Sequence, residues 1–251
     1  MIPIKNQQEI EIMRSGGKIL ATLLNLLKKQ AQTGIGTLEL DKFAENYILS
    51  QGGQPAFKGY HGFPSTLCTC LNSEVVHAPA KPNRVLKQGD ILSIDVGMRY
   101  PAKQGLITDM AITLPIGKID KLERKLIKTT KDCLAQAVKI IKPGVYLGDV
   151  SHAIQTLAEK NNFNVVRDLS GHGVGKKLHE EPQVLNYGLK NTGPILQSGM
   201  TLAIEPMLTA GSYEIILAKD KQTYLTRDNS LSAHFEHTVL ITPQGAEILT
   251  K

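Results

Sequence analysis

Three carboxylates lie inside or at the edge of apolar, strand-like runs, where a free charge is costly. They are Asp95, Glu205 and Glu236. A buried carboxylate without a partner costs several kcal/mol or takes up a proton. No basic residue stands in the immediate apolar context of Asp95 or Glu205, and His237 is the only candidate beside Glu236. Local ion pairs therefore do not account for the set, whereas a bound cation does.

Two further residues extend this group. Asp109 begins another strand-like run, which a hairpin would bring back toward Asp95. His172 lies between glycines that allow its backbone to approach a ligand or a neighbouring strand. Four carboxylates and one imidazole can hold two divalent ions, and a set this rich in oxygen favours Mn, Fe or Co over thiolate zinc or blue copper.

Each of these residues taken alone has an ordinary explanation. A single Asp or Glu in a strand is more often exposed or ion-paired than bound to a metal. The glycine-rich segment 171–175 lacks the Lys-Ser/Thr ending and the downstream acid of phosphate-binding loops. Only the combination of the five residues indicates a metal centre.

The elements that must position these residues follow from hydrophobic spacing. Apolar residues at helical intervals predict buried helix faces over 10–27 and from Leu122 to Ile141. A helix is expected after Thr37, whose hydroxyl could cap it, and another over 149–160. Strands are predicted at 66–71, 90–98, 107–114, 200–204, 213–217 and 237–241.

The order of these elements, two helices and then strands, occurs twice and predicts an α+β fold built from two related halves. The prediction rests on element order alone, because the halves show no evident sequence identity. Neither a low-complexity tract nor a linker separates them, so we expect one domain over residues 1–251.

Composition restricts the class of protein. With 251 residues, 41% hydrophobic and 21% charged, the chain is expected to be globular. No apolar run reaches the roughly 20 residues of a membrane span, and residues 1–6 do not resemble an export leader. Three cysteines, an odd number, predict free thiols in a reducing cytoplasm. The net charge of +6 is scattered, which predicts a solvated surface without specific nucleic-acid binding, or weak attraction to an acidic partner such as a ribosome.

Eight strings distributed over nearly the whole chain resemble the type I methionine aminopeptidases in order and spacing. They are Gly59-Tyr-His-Gly-Phe-Pro64, Asn72-Ser-Glu-Val-Val-His77, Ile94-Asp-Val-Gly97, Thr108-Asp109, Ser170-Gly-His-Gly-Val-Gly175, His179-Glu-Glu-Pro182, Ile204-Glu-Pro206 and Ser232-Ala-His-Phe-Glu-His-Thr238.

The resemblance implies the pita-bread fold, in which two pseudo-symmetric halves of helices pack on a curved antiparallel sheet around a dinuclear metal site. Asp95 and Asp109 match the ligands from the first half, and His172, Glu205 and Glu236 match those from the second. Asp109 and Glu236 would bridge two divalent ions, Co, Mn or Fe.

The same resemblance implies an activity, the removal of the initiator methionine from nascent polypeptides by a monomeric cytoplasmic enzyme. Glu205 would act as general base and then general acid. His179 would lie near the scissile carbonyl, and His77 would contact the substrate amide and amino end. The resemblance also assigns the wall of the methionine pocket, to Tyr60, Phe63 and Cys68.

The chain departs from the family pattern at several positions. The connection between Asp95 and Asp109 is longer than usual, which predicts an extended hairpin tip that leaves both ligands in register. Four side chains differ from the common ones: Phe57 replaces cysteine, Leu178 an aromatic residue, Tyr224 tryptophan and His234 glutamine.

Three alternatives share the same fold: an Xaa-Pro peptidase or prolidase, an inactive binding scaffold and a type II methionine aminopeptidase. Xaa-Pro peptidases and prolidases usually carry an added N-terminal domain, whereas here the pattern starts almost at residue 1. An inactive binding scaffold would be expected to lose metal ligands. Type II enzymes insert a subdomain between the ligands equivalent to His172 and Glu205, which are only 33 positions apart here (205 − 172).

Overall fold

The computed structural model describes residues 2–251. This part of the chain contains two pairs of α-helices and fifteen β-strands. The helices are α1 (Gln7–Gln30), α2 (Thr37–Ser50), α3 (Lys121–Ile140) and α4 (Leu147–Lys160). The strands are β1 (Gln54–Pro55), β2 (Cys68–Leu71), β3 (Glu74–Val76), β4 (Ile91–Tyr100), β5 (Leu106–Pro115), β6 (Asn164–Val165), β7 (Ser170–Gly173), β8 (Glu180–Leu185), β9 (Thr201–Ile204), β10 (Met207–Thr209), β11 (Ile215–Leu217), β12 (Tyr224–Thr226), β13 (Ser232–His234), β14 (Glu236–Thr242) and β15 (Gly245–Ile248).

The helices begin and bury their faces largely as their sequences predict. The side chain of Asn6 accepts the backbone N–H of Glu9, and the Glu9 carboxylate accepts the N–H of Asn6, so α1 opens with a capping box. The prediction for the start of α3 is wrong at Leu122, which is 49% exposed, because the buried face begins one turn later at Leu126. Within residues 2–251, none of the helices has the length and apolar character of a membrane span.

The predicted cap of α2 is also wrong. Thr37 is the first residue of the helix, and Gly36 precedes it as the capping residue. The Glu39 carboxylate accepts the N–H of Gly36 at 2.9 Å. The buried Thr37 hydroxyl instead accepts the N–H of Lys81 at 3.2 Å, so it ties the helix start to a distant loop.

The largest sheet is antiparallel and has nine strands in the described residues. Its main order is β1-β4-β5-β14-β9-β7-β8, with β2 on β4 and β15 on β14. Strands β4 and β5 pair over their whole length as far as Tyr100 and Leu106, so the expected extended hairpin tip is present. Two three-stranded sheets, β13-β10-β6 and β11-β12-β3, complete the strands.

The two halves repeat one junction between helix and strand. After α1 the N–H of Gly34 donates to the carbonyl of Leu86 at 2.9 Å, and after α3 the N–H of Gly144 donates to that of Leu196 at 3.0 Å. Equivalent residues are a constant 110 positions apart (144 − 34 and 196 − 86). The predicted pseudo-symmetry is therefore confirmed.

With this offset the halves do show sequence similarity, which simple inspection does not reveal. Segment 85–92 reads Val-Leu-Lys-Gln-Gly-Asp-Ile-Leu, and segment 195–202 reads Ile-Leu-Gln-Ser-Gly-Met-Thr-Leu. Two isolated bridges, from Gly36 to Val85 and from Tyr146 to Ile195, lie at the same offset. The repeat is short and imperfect, and therefore hard to detect without the structure.

Each helix pair covers one half of the sheet. Leu20 of α1 and Leu40 of α2 belong to one hydrophobic cluster with Ile94 and Val96 of β4. Residues of α3 and α4 cluster in the same way with β9 and β14. Because side chains alternate along a strand, Asp95, between Ile94 and Val96, faces away from the helices.

A glycine in α1 allows close contact with the C-terminal segment. A Cβ atom on Gly17 would lie 2.2 Å from the carbonyl oxygen of Leu249. We expect Gly17→Ala to lower the free energy of unfolding by about 1–3 kcal/mol through overpacking, despite the gain in helix propensity. Urea denaturation measures this change. Lys18→Ala, at the exposed neighbouring position, is the matched control, and equal stability of the two variants would contradict the prediction.

Candidate active site

The sheet register places the two acids of the first half on one face. Asp95 of β4 pairs with Ala111 of β5, and Asp109 of β5 pairs with Gly97 of β4. Residues directly opposite each other point to the same side of the sheet, so the two carboxylates are diagonal neighbours. The small residue Gly97 beside them lets the Phe57 ring approach the sheet, since a Cβ atom on Gly97 would lie 2.7 Å from that ring.

The acids of the second half continue these rows across the sheet. Glu236, the first residue of β14, also pairs with Ala111, so it lies in the row of Asp95. Glu205 directly follows β9, which is the next strand. His172 of β7 pairs with Ala203 of β9. The two halves thus contribute to a single face.

Threonine 238 fixes the position of Asp109. Its hydroxyl accepts the backbone N–H of Asp109 at 2.8 Å and donates to the carbonyl of Asp109 at 2.9 Å. The two bonds hold β5 against β14 at the point where their acids meet. No local feature of the sequence indicates this contact, because Thr238 is distant from Asp109 in the chain.

The cluster is buried and dense. Asp95, Asp109, His172 and Glu236 are all buried, and Glu205 is partly buried. One ligand atom from each of Asp109, His172 and Glu236 lies within 4.8 Å of the other two. Nε2 of His172 lies 3.5 Å from Oε1 of Glu205.

The carboxylates lack the partners that buried charges need. Oδ1 of Asp95 and Oε1 of Glu236 are buried without a hydrogen-bond partner in the described chain. Burial and mutual repulsion raise the pKa of Asp95, Glu205 and Glu236 well above the usual carboxyl range, and burial raises the pKa of Asp109 to about 7. Divalent cations would supply the missing positive charge and satisfy the unpaired oxygens, so the residues fit a metal centre.

One neighbour of the cluster appears in the sequence analysis only as a departure from the family pattern. His234, the last residue of β13, is buried, with Nε2 3.5 Å from Oε2 of Glu205 and 4.0 Å from Oε2 of Glu236. Burial, and to a lesser extent the nearby His77, lower its pKa to about 3, so the imidazole is neutral. Its spacing of two residues from Glu236 is a signal that could have placed both side chains on one face. His237, the neighbour considered from the sequence, bonds Thr250 instead.

Two more histidines and a tyrosine lie at the exposed edge of the site. The ring of His179 is perpendicular to that of His172, with centroids 4.4 Å apart. Nδ1 of His179 lies 3.0 Å from the hydroxyl of Tyr60. His77, just after β3, adopts a positive φ of 60° and packs its ring edge-on against Tyr224. Burial, and then the nearby His61, lower the pKa of His179.

A cavity of about 300 Å³ adjoins these groups. Its apolar wall includes Phe57, Phe63, Cys68 and Leu178. Cys68 lies opposite Asp95 across β2 and β4, and burial raises the pKa of its thiol well above the usual range. The cavity brings together all ten residues selected from the sequence: Tyr60, Phe63, Cys68, His77, Asp95, Asp109, His172, His179, Glu205 and Glu236. Of the residues that contact the acids, His234 stands outside this lining.

The raised pKa of Asp109 predicts a pH dependence for the metal-free protein. Its folded-state pKa of about 7 exceeds the ordinary 3.8, so the stabilisation by its proton is present below pH 4 and lost as pH rises through 7. Asn mimics the protonated acid. We compare the free energy of unfolding of Asp109→Asn with that of the wild type. As pH rises from 5 to 8, this difference should change in favour of the variant by at least about 1 kcal/mol.

Urea unfolding of the chelated proteins at the two pH values measures this difference. The shifts of the buried histidines are common to both proteins and cancel. The Asp109 charge raises the pKa of Asp95, Glu205 and Glu236, so its removal lowers these pKa values and adds to the expected gain of the variant at high pH. Addition of Mn²⁺ is the control, since it should favour the wild type over Asp109→Asn. A stability difference that does not change with pH would contradict the assigned environment of Asp109.

Comparison with known proteins identifies the family of this chain. The model of metallopeptidase family M24 matches residues 11–243. The chain is 46% identical over 251 residues to methionine aminopeptidase 1 of Bacillus subtilis, with full coverage of both. It is 40% identical to the methionine aminopeptidase of Escherichia coli, covering 99% of this chain and 94% of that protein.

Comparison with solved structures indicates the same family. The methionine aminopeptidase of Thermotoga maritima superposes with a TM-score of 0.97 at 45% identity over the whole of both chains. An Xaa-Pro dipeptidase from Bacillus anthracis shares the fold with a TM-score of 0.77 at 18% identity, but only 62% of that chain is covered. The chain belongs to metallopeptidase family M24 and, within it, to the methionine aminopeptidases.

Proposed function

We propose that this chain removes the N-terminal methionine of nascent polypeptides by hydrolysing their first peptide bond at a centre of two divalent metal ions, Co, Mn or Fe. One observation carries the proposal. A cluster of four carboxylates and one imidazole lines a cavity of about 300 Å³ whose other wall is apolar, which suits one uncharged side chain next to a hydrolytic centre.

The order of the strands supports a division of the ligands. Asp109 and Glu236 come from β5 and β14, which are adjacent at the centre of the sheet, so they would contribute to holding both ions. Asp95 lies on one side of this pair, and His172 and Glu205 lie on the other. Bound ions would supply Lewis acidity, which activates water and polarises the scissile carbonyl.

Glu205 would transfer the proton. Its carboxylate is only partly buried and lines the cavity, so one residue can reach both water and the leaving amine. We assign it the roles of general base toward the attacking water and general acid toward the amine.

His179 and His77 would act as hydrogen-bond donors to the substrate. The Tyr60 hydroxyl lies on Nδ1 of His179, and if it donates there, the proton of the neutral ring is on Nε2. An Nε2–H can stabilise a developing oxyanion, whereas a bare nitrogen lone pair would repel it. His77, which lines the same cavity, is assigned to the substrate amide and amino group.

The apolar wall would hold the methionine side chain. Tyr60 and Phe63 present aromatic carbon, and Cys68 presents a neutral, polarizable thiol. Aromatic and sulfur groups make favourable contacts with a thioether. Phe57 and Leu178 lie on the same wall. Phe57 would narrow the pocket relative to the cysteine common in the family, and Leu178 would widen it relative to the common aromatic residue.

The proposed setting is a monomeric enzyme of the cytoplasm, with one catalytic domain over residues 1–251 and transient ribosome association. The central sheet joins strands of both halves, and both supply candidate ligands, which supports a single catalytic domain. The excess of six positive charges supports weak attraction to an acidic surface.

The function is tested by release of methionine from Met-Ala-Ser and of alanine from Ala-Pro-Ala. Chelated enzyme is reloaded with Mn²⁺, Co²⁺ or Fe²⁺ before each assay. We expect release from the first peptide only, and only with metal. Preference for the second peptide would indicate an Xaa-Pro peptidase, and no release from either with any metal would indicate an inactive scaffold.

Two variants control for trace contaminants in this assay. Glu205→Ala should reduce the turnover of Met-Ala-Ser by at least about 100-fold through loss of the general base. Glu159→Gln, on the exposed surface of α4, should retain full turnover. Near-normal activity of Glu205→Ala would contradict its assignment.

Tyr60→Phe tests the hydrogen bond to His179. The variant keeps the aromatic wall but removes the hydroxyl, so we expect kcat for Met-Ala-Ser to fall about 3- to 10-fold while KM changes less than about 2-fold. ¹⁵N NMR of His179 in the metal-free protein should show the Nε2–H tautomer in the wild type and a tautomer mixture in the variant. Tyr47→Phe, on α2, is the control, and an Nδ1–H tautomer in the wild type would reverse the assigned direction.

A further inference from the structure

The proposed function gives no role to one buried nitrogen beside the cluster of acids. The side chain of His234 is 2% exposed, and its Nε2 has no hydrogen-bond partner in the part of the chain described. This atom faces Oε2 of Glu205 at 3.5 Å and Oε2 of Glu236 at 4.0 Å. A buried polar atom without a partner costs free energy, so its retention in the site needs a reason.

The backbone around His234 is firmly held. Its N–H donates to Oγ1 of Thr113 at 2.8 Å, and its carbonyl accepts the hydroxyl of Thr113 at 2.7 Å. Because that hydroxyl proton is used, Ser93 must donate to Thr113 across their 2.8 Å contact. These hydrogen bonds run from β4 through β5 to β13. The backbone of His234 is therefore anchored to the strand that carries Asp95.

Two imidazoles flank the carboxylate of Glu205. His172 approaches Oε1 and His234 approaches Oε2, each with Nε2 at 3.5 Å. The two differ in their surroundings, because His172 lies with Asp109 and Glu236 in the group whose ligand atoms are within 4.8 Å of one another. His234 approaches the other oxygen of Glu205 and also lies 4.0 Å from Oε2 of Glu236.

We propose that His234 is a positioning residue of the metal centre, whose Nε2–H donates to Oε2 of Glu205 and so leaves Oε1 directed toward His172. This inference deepens the proposed function and rests on its metal centre. The present separation is longer than a hydrogen bond, and a shift of about half an ångström in the Glu205 side chain closes it. Such donors fix the orientation and basicity of the ligands that they contact.

The test compares His234→Leu, which removes the donor, with His234→Gln, which keeps an amide N–H. Affinity for Mn²⁺ is measured by competition with a chelating indicator. We expect His234→Leu to bind Mn²⁺ about 10- to 100-fold more weakly than the wild type, and His234→Gln to stay within about 3-fold. Equal affinity of all three proteins would overturn the proposal.

A second measurement separates positioning from a merely structural role. Without metal, Nε2 of His234 has no hydrogen-bond partner among residues 2–251, so its removal should leave the stability of the chelated protein unchanged or raise it. The urea midpoint of metal-free His234→Leu should therefore not fall below that of the wild type. A fall of the midpoint in both variants, together with weaker Mn²⁺ binding, would show that His234 serves packing and would overturn the proposal.

Proton NMR of the Co²⁺-loaded protein tests whether His234 is itself a ligand. We expect one exchangeable, metal-shifted imidazole N–H, from His172, that persists in His234→Gln. Two such signals, one of them lost in His234→Gln, would overturn the positioning role in favour of direct ligation. If the wild type neither binds Mn²⁺ nor releases methionine, the proposed function itself fails, whereas the outcomes above concern His234 alone.

Discussion

Mutual repulsion among buried carboxylates is the constraint on which the site depends. Four acids share a region in which, as far as residues 2–251 show, His172 and His234 are the only basic side chains with a nitrogen within 4 Å of a carboxylate oxygen. Burial strengthens this repulsion because the local dielectric constant is low. The acids can be held together only by a framework that does not relax, and the hydrogen-bonded sheet provides it. Such a rigid cluster of acids fits divalent cations, which would neutralise it.

The same sheet explains why two similar halves make one site. The central strands β5 and β14 come from different halves and meet side by side, with their acids in neighbouring rows. Helices cover the other face, where Ile94 and Val96 are buried. Alternation along the strands therefore separates a dry structural face from a polar chemical one.

The sequence predicts the acids well because a carboxylate in an apolar strand is conspicuous, and the helices well because their faces are periodic. It fails where one residue depends on a distant one. The hydroxyl of Thr37 bonds Lys81 instead of capping its helix, and Thr238 fixes Asp109 across the sheet. His234 is similarly hidden, because its relation to Glu205 arises only when β13 and β9 come together. Leu122 has the right spacing but lies beyond the buried face.

The constant offset between the halves makes Asp95 and Glu205 equivalent positions, since 205 − 95 is again 110. The shorter of the two, Asp95, is buried, whereas the longer Glu205 is only partly buried. The other candidate ligands have no counterpart at this offset, because Gly62, Leu126 and Lys219 stand 110 positions from His172, Glu236 and Asp109. A peptide laid across the centre would therefore meet different groups at its two ends.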